Sequence, residues 1–170
     1  TGVAGDPLIY QSINRGRVNI SGVEVKGRAD WGRMAGIEWS TPFAWGRTQG
    51  HDRTTGESLA SIDPQRLTVG LRANAAQWTA QLGVNYTQRK KAQDVAAGST
   101  QFLTPSATLV DLTAQWRIRK DLRLNVGLYN ITDKKYWRWS DVRGVASNST
   151  IVDSYTQPGR SAKISLVAEF

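Results

Sequence analysis

The C-terminal segment of the chain alternates between apolar and polar side chains, and this pattern restricts the segment to an extended strand. Its apolar positions are Ala162, Ile164, Leu166, Ala168 and Phe170. The positions between them are Lys163, Ser165, Val167 and Glu169. Side chains on a β-strand point alternately to opposite faces, so one face of this strand is apolar. Such a strand is expected at the end of a membrane β-barrel, where it closes against an earlier strand and faces lipid.

The same alternation recurs upstream and predicts about seven antiparallel strands of about ten residues, the length of a tilted barrel strand. The upstream apolar faces lie within residues 23–31, 37–45, 67–75, 78–86, 108–118 and 122–128. The long connections are predicted at residues 46–64, 88–106 and 130–159. Residues 1–17 carry turn signals and are expected to form a loop with the remnant of a strand around residues 8–13.

Three local features modify this pattern in the first two strands. The apolar phase changes after Val18 and Ile20, so a bulge is expected at residues 21–22. Residues 31–33 are predicted to form a tight turn. Pro42 lies within the second strand, which argues against that strand or indicates a second bulge, because proline has no N–H to donate.

Two regularities favour a transmembrane barrel over a soluble β-sandwich. Short and long connections alternate, as they do when one rim of a barrel faces the periplasm and the other faces outside. In the last five strands, charge is confined to the face opposite the apolar one. The charged residues of that face are Arg66, Arg72, Asp111, Arg117, Arg123, Lys163 and Glu169. The fold class is therefore predicted to be all-β, an antiparallel transmembrane β-barrel.

Composition supports this class without defining it. The mean hydropathy is -0.43, and the sequence contains no apolar run near the 18 residues that a transmembrane helix needs. There are no cysteines, so disulfides and thiolate metal sites are excluded. The net charge of +8 suits a solvated basic surface or contacts with nucleic acid, lipid phosphates or an anionic ligand.

The seven tryptophans are many for a chain of this size, and several fall where membrane interfaces are predicted. One girdle is expected near the short turns and the C-terminus, at Trp31, Trp78, Trp116 and Phe170. A second girdle is expected at the opposite strand ends, at Trp45 and Tyr86. The alternative is that these aromatic residues are scattered members of a hydrophobic core.

Several motifs resemble those of TonB-dependent outer-membrane receptors. Asn130-Ile131-Thr132-Asp133-Lys134-Lys135-Tyr136 resembles their Asn-(Leu/Ile)-x-Asp-(Lys/Arg)-x-Tyr segment before the last strand, and the C-terminus ending in Phe170 resembles their assembly signal. Ser21-Gly22-Val23-Glu24 is similar to an element found earlier in those barrels. Residues 136–144 and 157–160 resemble the branch of haem, haemoglobin and haemophore receptors.

The resemblance implies active uptake across the bacterial outer membrane. Residues 1–170 would form the C-terminal portion of a barrel of about 22 strands, without the plug domain through which the TonB complex acts. The transported ligand would be haem, free or from a haem-carrying protein, and the chain would have no cofactor of its own. The other implied partners are outer-membrane lipid, lipopolysaccharide and the barrel-assembly machinery, with no nucleic acid. The sequence lacks the branch's usual haem-ligating His motif.

The ligand-binding candidates lie in the long connections. His51, the only histidine, is expected in an external loop, where its imidazole either ligates haem iron or is simply solvated. Tyr136, Trp137 and Trp139 are candidates for stacking on a porphyrin. Arg138 and Arg143 are candidates for pairing with its propionates. The alternative for this second group is girdle anchoring with contacts to lipopolysaccharide phosphates, and the arginines of the lumen are expected to face the plug.

No enzyme is predicted, because one histidine and no cysteine leave only a serine triad built on His51 in a flexible loop. Four alternatives to a haem transporter stay open. They are a receptor for a siderophore or another metal chelate, a passive porin-like barrel, an outer-membrane hydrolase and a soluble basic nucleic-acid binder. The last is disfavoured because most aromatic residues accompany the aliphatic residues rather than the basic face.

Overall fold

Residues 17–169 fold into one seven-stranded antiparallel sheet in which every strand pairs with the next along the sequence. A computed structural model describes residues 17–169, so the strand remnant expected at residues 8–13 and the girdle position Phe170 lie outside the described residues. The strands are β1 Val18–Met34, β2 Ile37–Asp52, β3 Arg66–Asn74, β4 Trp78–Thr87, β5 Ala107–Arg119, β6 Leu122–Tyr129 and β7 Ser161–Ala168. The predicted all-β architecture with seven antiparallel strands is confirmed.

The sheet has one apolar face and one polar face, as the alternation predicts. Directly paired residues of neighbouring strands lie on the same face of the sheet; for example, Leu82 of β4 pairs with Leu71 of β3 and Leu112 of β5. Within residues 17–169 no other layer covers the apolar face, and Ile164 and Leu166 are 72% and 62% exposed. A sheet that leaves so many aliphatic side chains open needs an apolar environment outside the protein.

The sheet is open within residues 17–169, where β1 and β7 each pair along one edge only. Unpaired strand edges do not occur in the hydrocarbon region of a bilayer, since nothing there can satisfy their N–H and C=O groups. The seven strands are therefore a segment of a barrel wall. Separately, none of the helices within residues 17–169 has both the length and the apolar character that crossing a membrane requires.

The first hairpin corrects the turn predicted at residues 31–33. β1 continues to Met34 and the chain turns at Ala35 and Gly36, whose φ angles are 50° and 80°. A two-residue turn with two positive φ angles matches the twist of the flanking strands, and glycine adopts this conformation readily. The turn therefore falls at Ala-Gly rather than at Trp-Gly-Arg.

The bulge predicted at residues 21–22 is also wrong. Pairing of β1 with β2 is regular from Val18 to Asp30, and the register shifts only between Asp30 and Gly32. Gly32 has a φ of 84°, the left-handed conformation that a bulge of the glycine type requires. Val18 and Ile20 consequently share the polar face of β1, near the end that carries the long connections.

Pro42 neither ends β2 nor causes a bulge. β2 pairs with β3 at Ser40 and again at Phe43 with the same register, and only the two positions between them are missing from that ladder. Opposite this gap lies Gly70, where an added Cβ would be 3.1 Å from Pro42 Cγ. The missing N–H and the ring of proline are thus accommodated by an interrupted ladder and a small residue on the neighbouring strand.

The connections alternate between short and long, as predicted. The short turns comprise residues 35–36, 75–77 and 120–121, and the long connections comprise residues 53–65, 88–106 and 130–160. The first long connection begins later than expected, because residues 46–52 belong to β2. The long connections contain the helix α1, Trp139–Val142, and two 3-10 helices, Ala92–Asp94 and Val152–Tyr155.

Candidate ligand-binding site

The three long connections pack into a single unit, which we call the loop cap and define as residues 53–65, 88–106 and 130–160. Its buried centre consists of Val95, Trp139 and Val142. Around this centre pack Ala60, Phe102, Leu103, Trp137, Val145 and Tyr155. All three connections contribute to this cluster, so each loop is held by side chains of the other two.

Lys90 and Trp139 join the loops at one point. The Trp139 indole N–H donates to the Ala60 carbonyl at 2.6 Å, and Lys90 Nζ donates to the Ile62 carbonyl at 2.6 Å. Lys90 Nζ also lies 4.7 Å from the centre of the Trp139 ring, within the range of a cation–π contact. One lysine and one tryptophan therefore connect all three loops.

The cation of Lys90 is held in an unusually dry place for lysine, with only 4% of the residue exposed. Burial lowers the pKa of Lys90 below its ordinary value of 10.5, and the nearby charge of Arg143 lowers it further. Asp94 and Asp63 act in the opposite direction, because their negative charges favour the protonated amine. Burial dominates this balance.

The predicted stacking residues differ in exposure. Trp139 is only 3% exposed, so its ring is committed to the centre of the loop cap. Trp137 is partly exposed; its ring meets Phe102 edge-on at 5.3 Å, and its indole N–H donates to the Val152 carbonyl at 3.0 Å. Lys135 Nζ lies 5.4 Å from the Trp137 ring. Trp137 thus combines a fixed orientation with an accessible surface.

A cavity of about 430 Å³ lies between the loop cap and the polar face of the sheet. From the loop cap it is lined by Asp63, Pro64, Thr104, Pro105, Tyr136, Trp137, Arg138, Trp139 and Ser140. From the sheet it is lined by Arg66, Asn85, Thr87, Ala107 and Leu109. The structure therefore brings four of the predicted ligand-binding residues to one cavity. Its volume falls within the range of about 300–1,000 Å³ that is usual for small-molecule sites.

His51 and Arg143 lie elsewhere. His51 is on β2 rather than in a loop; it pairs with Asn19 and forms an isolated bridge with Ser58. It lines a smaller cavity of about 90 Å³, which also includes Lys90. The two cavities share Asp63 and Pro64, so they adjoin the same part of the loop cap. Arg143 is exposed and lines neither cavity.

The motif at residues 130–136 has a structural role that its residues explain. Asn130 is 4% exposed and has a φ of 48°, a left-handed conformation that asparagine tolerates better than most residues. Its side-chain carbonyl accepts from the Lys134 N–H at 2.9 Å, and its amide donates to the Lys134 carbonyl at 2.9 Å. The amide is also 3.4 Å from the Pro158 carbonyl. Asn130 thereby fixes both ends of the last loop.

Asp133 and Asp111 add hydrogen bonds that connect the last loop to the neighbouring strands. Asp133 also has a positive φ, 53°, and its carboxylate accepts from the backbone N–H of Arg160 at 2.8 Å. Asp111 on β5 accepts from the Asn130 backbone N–H at 2.8 Å and from the Asn85 side chain at 3.1 Å. We call the hydrogen-bonded group of Asn130, Asp133 and Asp111 the loop anchor.

Sequence reasoning missed Asp111, Lys90 and Arg66 as participants in the site. Asp111 carried one signal, since it and Glu169 are the two acids among the mostly basic charged residues of the polar face in the last five strands. Lys90 belongs to a basic run, 89–91, which is typical of solvent-exposed loops. Its burial depends on contacts with Ile62 and Trp139, which are far away in sequence, so no local pattern indicates it.

The described girdle candidates lie at two levels of the apolar face. Trp78 and Trp116 form a directly opposed pair on β4 and β5, and Trp31 lies at the bulge before the first short turn. The Trp31 indole donates to the Thr41 hydroxyl at 3.0 Å. The upper level contains Trp45 and Tyr86, both of which pair with Leu67 of β3. Their role as membrane girdles stays a prediction.

The open sheet, its exposed apolar face and the alternating connections define an outer-membrane β-barrel protein. The family model described as TonB dependent receptor-like, beta-barrel, matches residues 1–131. The chain belongs to this family of outer-membrane receptor barrels, and the expected superfamily is therefore confirmed.

Curated relatives extend the likeness over nearly the whole chain. The probable hemoglobin and hemoglobin-haptoglobin-binding protein 4 of Haemophilus influenzae is 26% identical over 195 residues, covering 98% of this chain and 19% of the relative. Transferrin-binding protein A of Neisseria meningitidis serogroup B is 25% identical over 199 residues, covering 98% of this chain and 21% of the relative. The chain thus spans about a fifth of the length of these relatives.

Solved structures show the same fold. The copper transporter OprC superposes with a TM-score of 0.72 at 20% identity, covering 90% of this chain and 24% of that protein. The ferric enterobactin receptor of Pseudomonas aeruginosa gives a TM-score of 0.65 at 23% identity, covering 92% of this chain and 23% of the receptor. At these identities the likeness establishes the barrel fold and leaves the ligand open.

Proposed function

We propose that this chain is the C-terminal wall and part of the external surface of a TonB-dependent transporter that takes up haem from a haem-carrying protein. The observation that carries the proposal is the likeness to a probable haemoglobin-binding relative over 98% of the chain. In this proposal the complete barrel has about 22 strands. A plug domain upstream of residue 1 couples it to the TonB complex.

The loop cap would supply the contacts with the ligand. Trp137 and Tyr136 present aromatic surface at the large cavity, and Arg138 adds a cation at the same place. Arg143 is exposed on the cap, where it is available to a propionate or to a partner protein. Trp139, buried at the centre of the loop cap, would act by holding these residues in place.

His51 is a separate candidate within the same proposal. Its side chain is exposed at the outer end of β2, beyond the row formed by Trp45, Leu67 and Tyr86. Because side chains alternate along β2, His51 lies on the same face as Trp45, so it would be accessible to haem iron outside the barrel rim rather than in the lumen. Ligation of haem iron by His51 is therefore tested with its own variant, in the same experiment that tests the aromatic residues.

The apolar face and the basic loop cap account for the remaining proposed partners. The exposed aliphatic side chains of the wall would contact outer-membrane lipid, with the aromatic residues at its two interfaces. Basic side chains of the cap, including Lys134 and Arg160, would reach lipopolysaccharide phosphates. Insertion of the wall would depend on the barrel-assembly machinery. In this proposal the protein is a transporter and not an enzyme, consistent with its membership of a family of receptor barrels.

A second candidate cargo is iron delivered without haem. Transferrin-binding protein A matches the chain about as well as the haemoglobin-binding relative does, at 25% against 26% identity. By their names, both relatives bind a protein: hemoglobin or hemoglobin-haptoglobin in one case and transferrin in the other. An iron-carrying protein docked on the loop cap therefore remains the alternative, with metal chelates such as siderophores as a further possibility.

The test is a haem titration of the purified full-length receptor in detergent, followed by Soret absorbance. We expect saturable binding, with weaker binding in Trp137→Ala and in His51→Ala if that residue ligates iron. Growth on haemoglobin as the iron source should require both the receptor and TonB. Saturable binding of transferrin but not of haem would reject the haem proposal in favour of the second candidate. Growth without TonB would point to passive passage.

A further inference from the structure

The large cavity contains two arginines whose charges are not used within the described structure. Arg66 is the first residue of β3 and lies on its polar face, and Arg138 immediately precedes α1 in the loop cap. Both are exposed, and neither forms an ion pair with a carboxylate between residues 17 and 169. Some other arginines of the sheet are paired; Arg28 pairs with Asp30, and Arg123 pairs with Glu169.

The one carboxylate at this cavity does not neutralise the two arginines. Asp63 lines the cavity and lies close enough to Lys90 to raise the pKa of that lysine. The negative charge of Asp63 is therefore partly balanced by Lys90, which is not one of the two arginines. The cavity keeps an excess of positive charge, and an anion that enters it would gain charge-assisted hydrogen bonds from two guanidinium groups.

The remaining lining is aromatic or neutral and polar. Tyr136 and Trp137 contribute ring surface from the loop cap, whereas the Trp139 ring is buried in the centre of the cap. Asn85, Thr87 and Ser140 contribute neutral polar groups. Aromatic surface beside two cations favours a flat, aromatic anion over a small inorganic one, since the rings would gain little from phosphate.

We propose that Arg66 and Arg138 form a subsite, beneath the loop cap and against the barrel wall, that recognises the carboxylate groups of a planar aromatic ligand. The inference rests on the proposed function, which it deepens by assigning selectivity to Arg66, a wall residue that sequence analysis did not include among the ligand contacts. The ligand would pass this subsite after leaving the external surface, because the cavity lies between the cap and the polar face of the sheet.

The experiment uses metal-free protoporphyrin IX and its dimethyl ester as probes of the full-length receptor in detergent. Lacking iron, the two porphyrins report on carboxylate recognition without any contribution from His51. Binding is measured by quenching of receptor fluorescence. We expect the diacid to bind about 10-fold or more tightly than the ester, because a hydrogen bond to a charged group contributes more than a neutral one. In the double variant Arg66→Gln/Arg138→Gln this ratio should fall towards one.

Arg72→Gln is the matched control. Arg72 is on the same strand and the same face as Arg66, but it lines a different cavity together with Lys163. This variant should keep the wild-type preference for the diacid. Arg66→Lys should keep part of it, because lysine retains the charge and loses the planar fork of donors. Heat-dependent migration on gels establishes that each variant is a folded barrel.

The outcomes separate this inference from the proposed function. An unchanged diacid-to-ester ratio in the folded double variant would overturn the subsite even if haem uptake is observed. Equal binding of both porphyrins by the wild type would overturn it too. A ratio that depends on the two arginines, in a receptor that does not support growth on haemoglobin, would uphold the subsite and reject haem-protein uptake.

Discussion

The barrel wall and the loop cap are stabilised in opposite ways. In the wall, the strands are joined by continuous main-chain ladders, and large apolar side chains such as Ile164 and Leu166 remain exposed. In the cap, regular structure is scarce, but Trp139 and Val142 are buried and the loops are tied by side chains that bond to distant carbonyls. The wall relies on lipid to cover its apolar surface, whereas the cap buries its own, as a soluble domain does.

This contrast predicts that a substitution at the buried centre of the loop cap causes the largest loss of stability. Trp139→Ala should destabilise the folded cap by about 3–5 kcal/mol, because a buried aromatic side chain is removed. It also leaves the Ala60 carbonyl without its indole donor. Hydrogen exchange should accelerate in all three loops and remain slow in the strands. Trp139→Phe, which retains most of the ring, should have a smaller effect; protection lost only in residues 130–160 would contradict the idea of a shared core.

The wall should be most sensitive to charge on its apolar face. Leu82 lies in the middle of β4, and Leu82→Arg should cost about 2–4 kcal/mol, as expected for arginine near the bilayer midplane. Gln81→Arg is the matched control, since Gln81 is adjacent in sequence but lies on the polar face. The comparison is made by denaturant unfolding of the receptor in lipid. Equal effects at the two positions would contradict the assignment of the faces.

The loop anchor joins wall and cap, and its loss should have an intermediate effect. Asn130→Ala removes the side-chain hydrogen bonds to the Lys134 backbone and places alanine at a positive φ, so we expect a loss of about 1–3 kcal/mol. Asn130→Asp is the informative comparison, because a carboxylate still accepts from the Lys134 N–H but donates nothing to the Lys134 carbonyl. Asn130→Asp should therefore lose less stability than Asn130→Ala. The rate of proteolysis within residues 130–160 measures the difference.

The smallest expected effect is the pH dependence of the loop cap. Burial lowers the pKa of Lys90 in the folded cap below 10.5, so between the lowered pKa and 10.5 the unfolded cap binds more protons than the folded one. The free energy of unfolding of the cap should therefore rise with pH across this window, and the cost of burying the cation is fully present below it. Denaturation at several pH values between 8 and 10.5 measures the slope.

Lys90→Met provides the control for that slope. Methionine preserves much of the length and apolar volume of the lysine stem without a titrating group. The variant should lose the part of the pH dependence that Lys90 causes, while unfolding of the wall should keep the pH dependence of the wild type. An identical slope in both proteins would show that other groups are responsible.

The strands of the wall could largely be predicted from sequence, because every second residue of a strand must suit the apolar surroundings of one face of the sheet. The alternation around Leu67, Leu82 and Leu112 follows from a sheet with lipid on one side, and it identifies strands, faces and long connections together. Prediction was wrong where backbone conformation outweighs side-chain pattern. The turn at Ala35-Gly36 requires positive φ angles, and the extension of β2 to Asp52 depends on pairing with β1 rather than on any alternation.

The loop cap could not be predicted in the same way. Its residues have no period, and each key contact joins loops that are distant in sequence, as Trp139 and Ala60 are. Trp139 and Trp137 looked alike as stacking candidates, yet one is buried and the other is partly exposed. The motif that begins at Asn130 was recognisable as a family resemblance, but its function as an anchor became clear only from the hydrogen bonds to Lys134 and Pro158.

The junction of Lys90 and Trp139 has a consequence for how such receptors diversify. Because these two side chains bond to carbonyls of a third loop, the length and conformation of each loop determine which sequences the other two accept. Replacing a single loop with that of a relative would remove Lys90, Trp139 or the carbonyls that they bond to. The side chain that lost its partner, a buried lysine or tryptophan, would then be exposed. If the loop cap binds the cargo, as proposed, new specificity is expected to arise by changing the three loops as a set, or by substitutions on their outer surface that leave the junction intact.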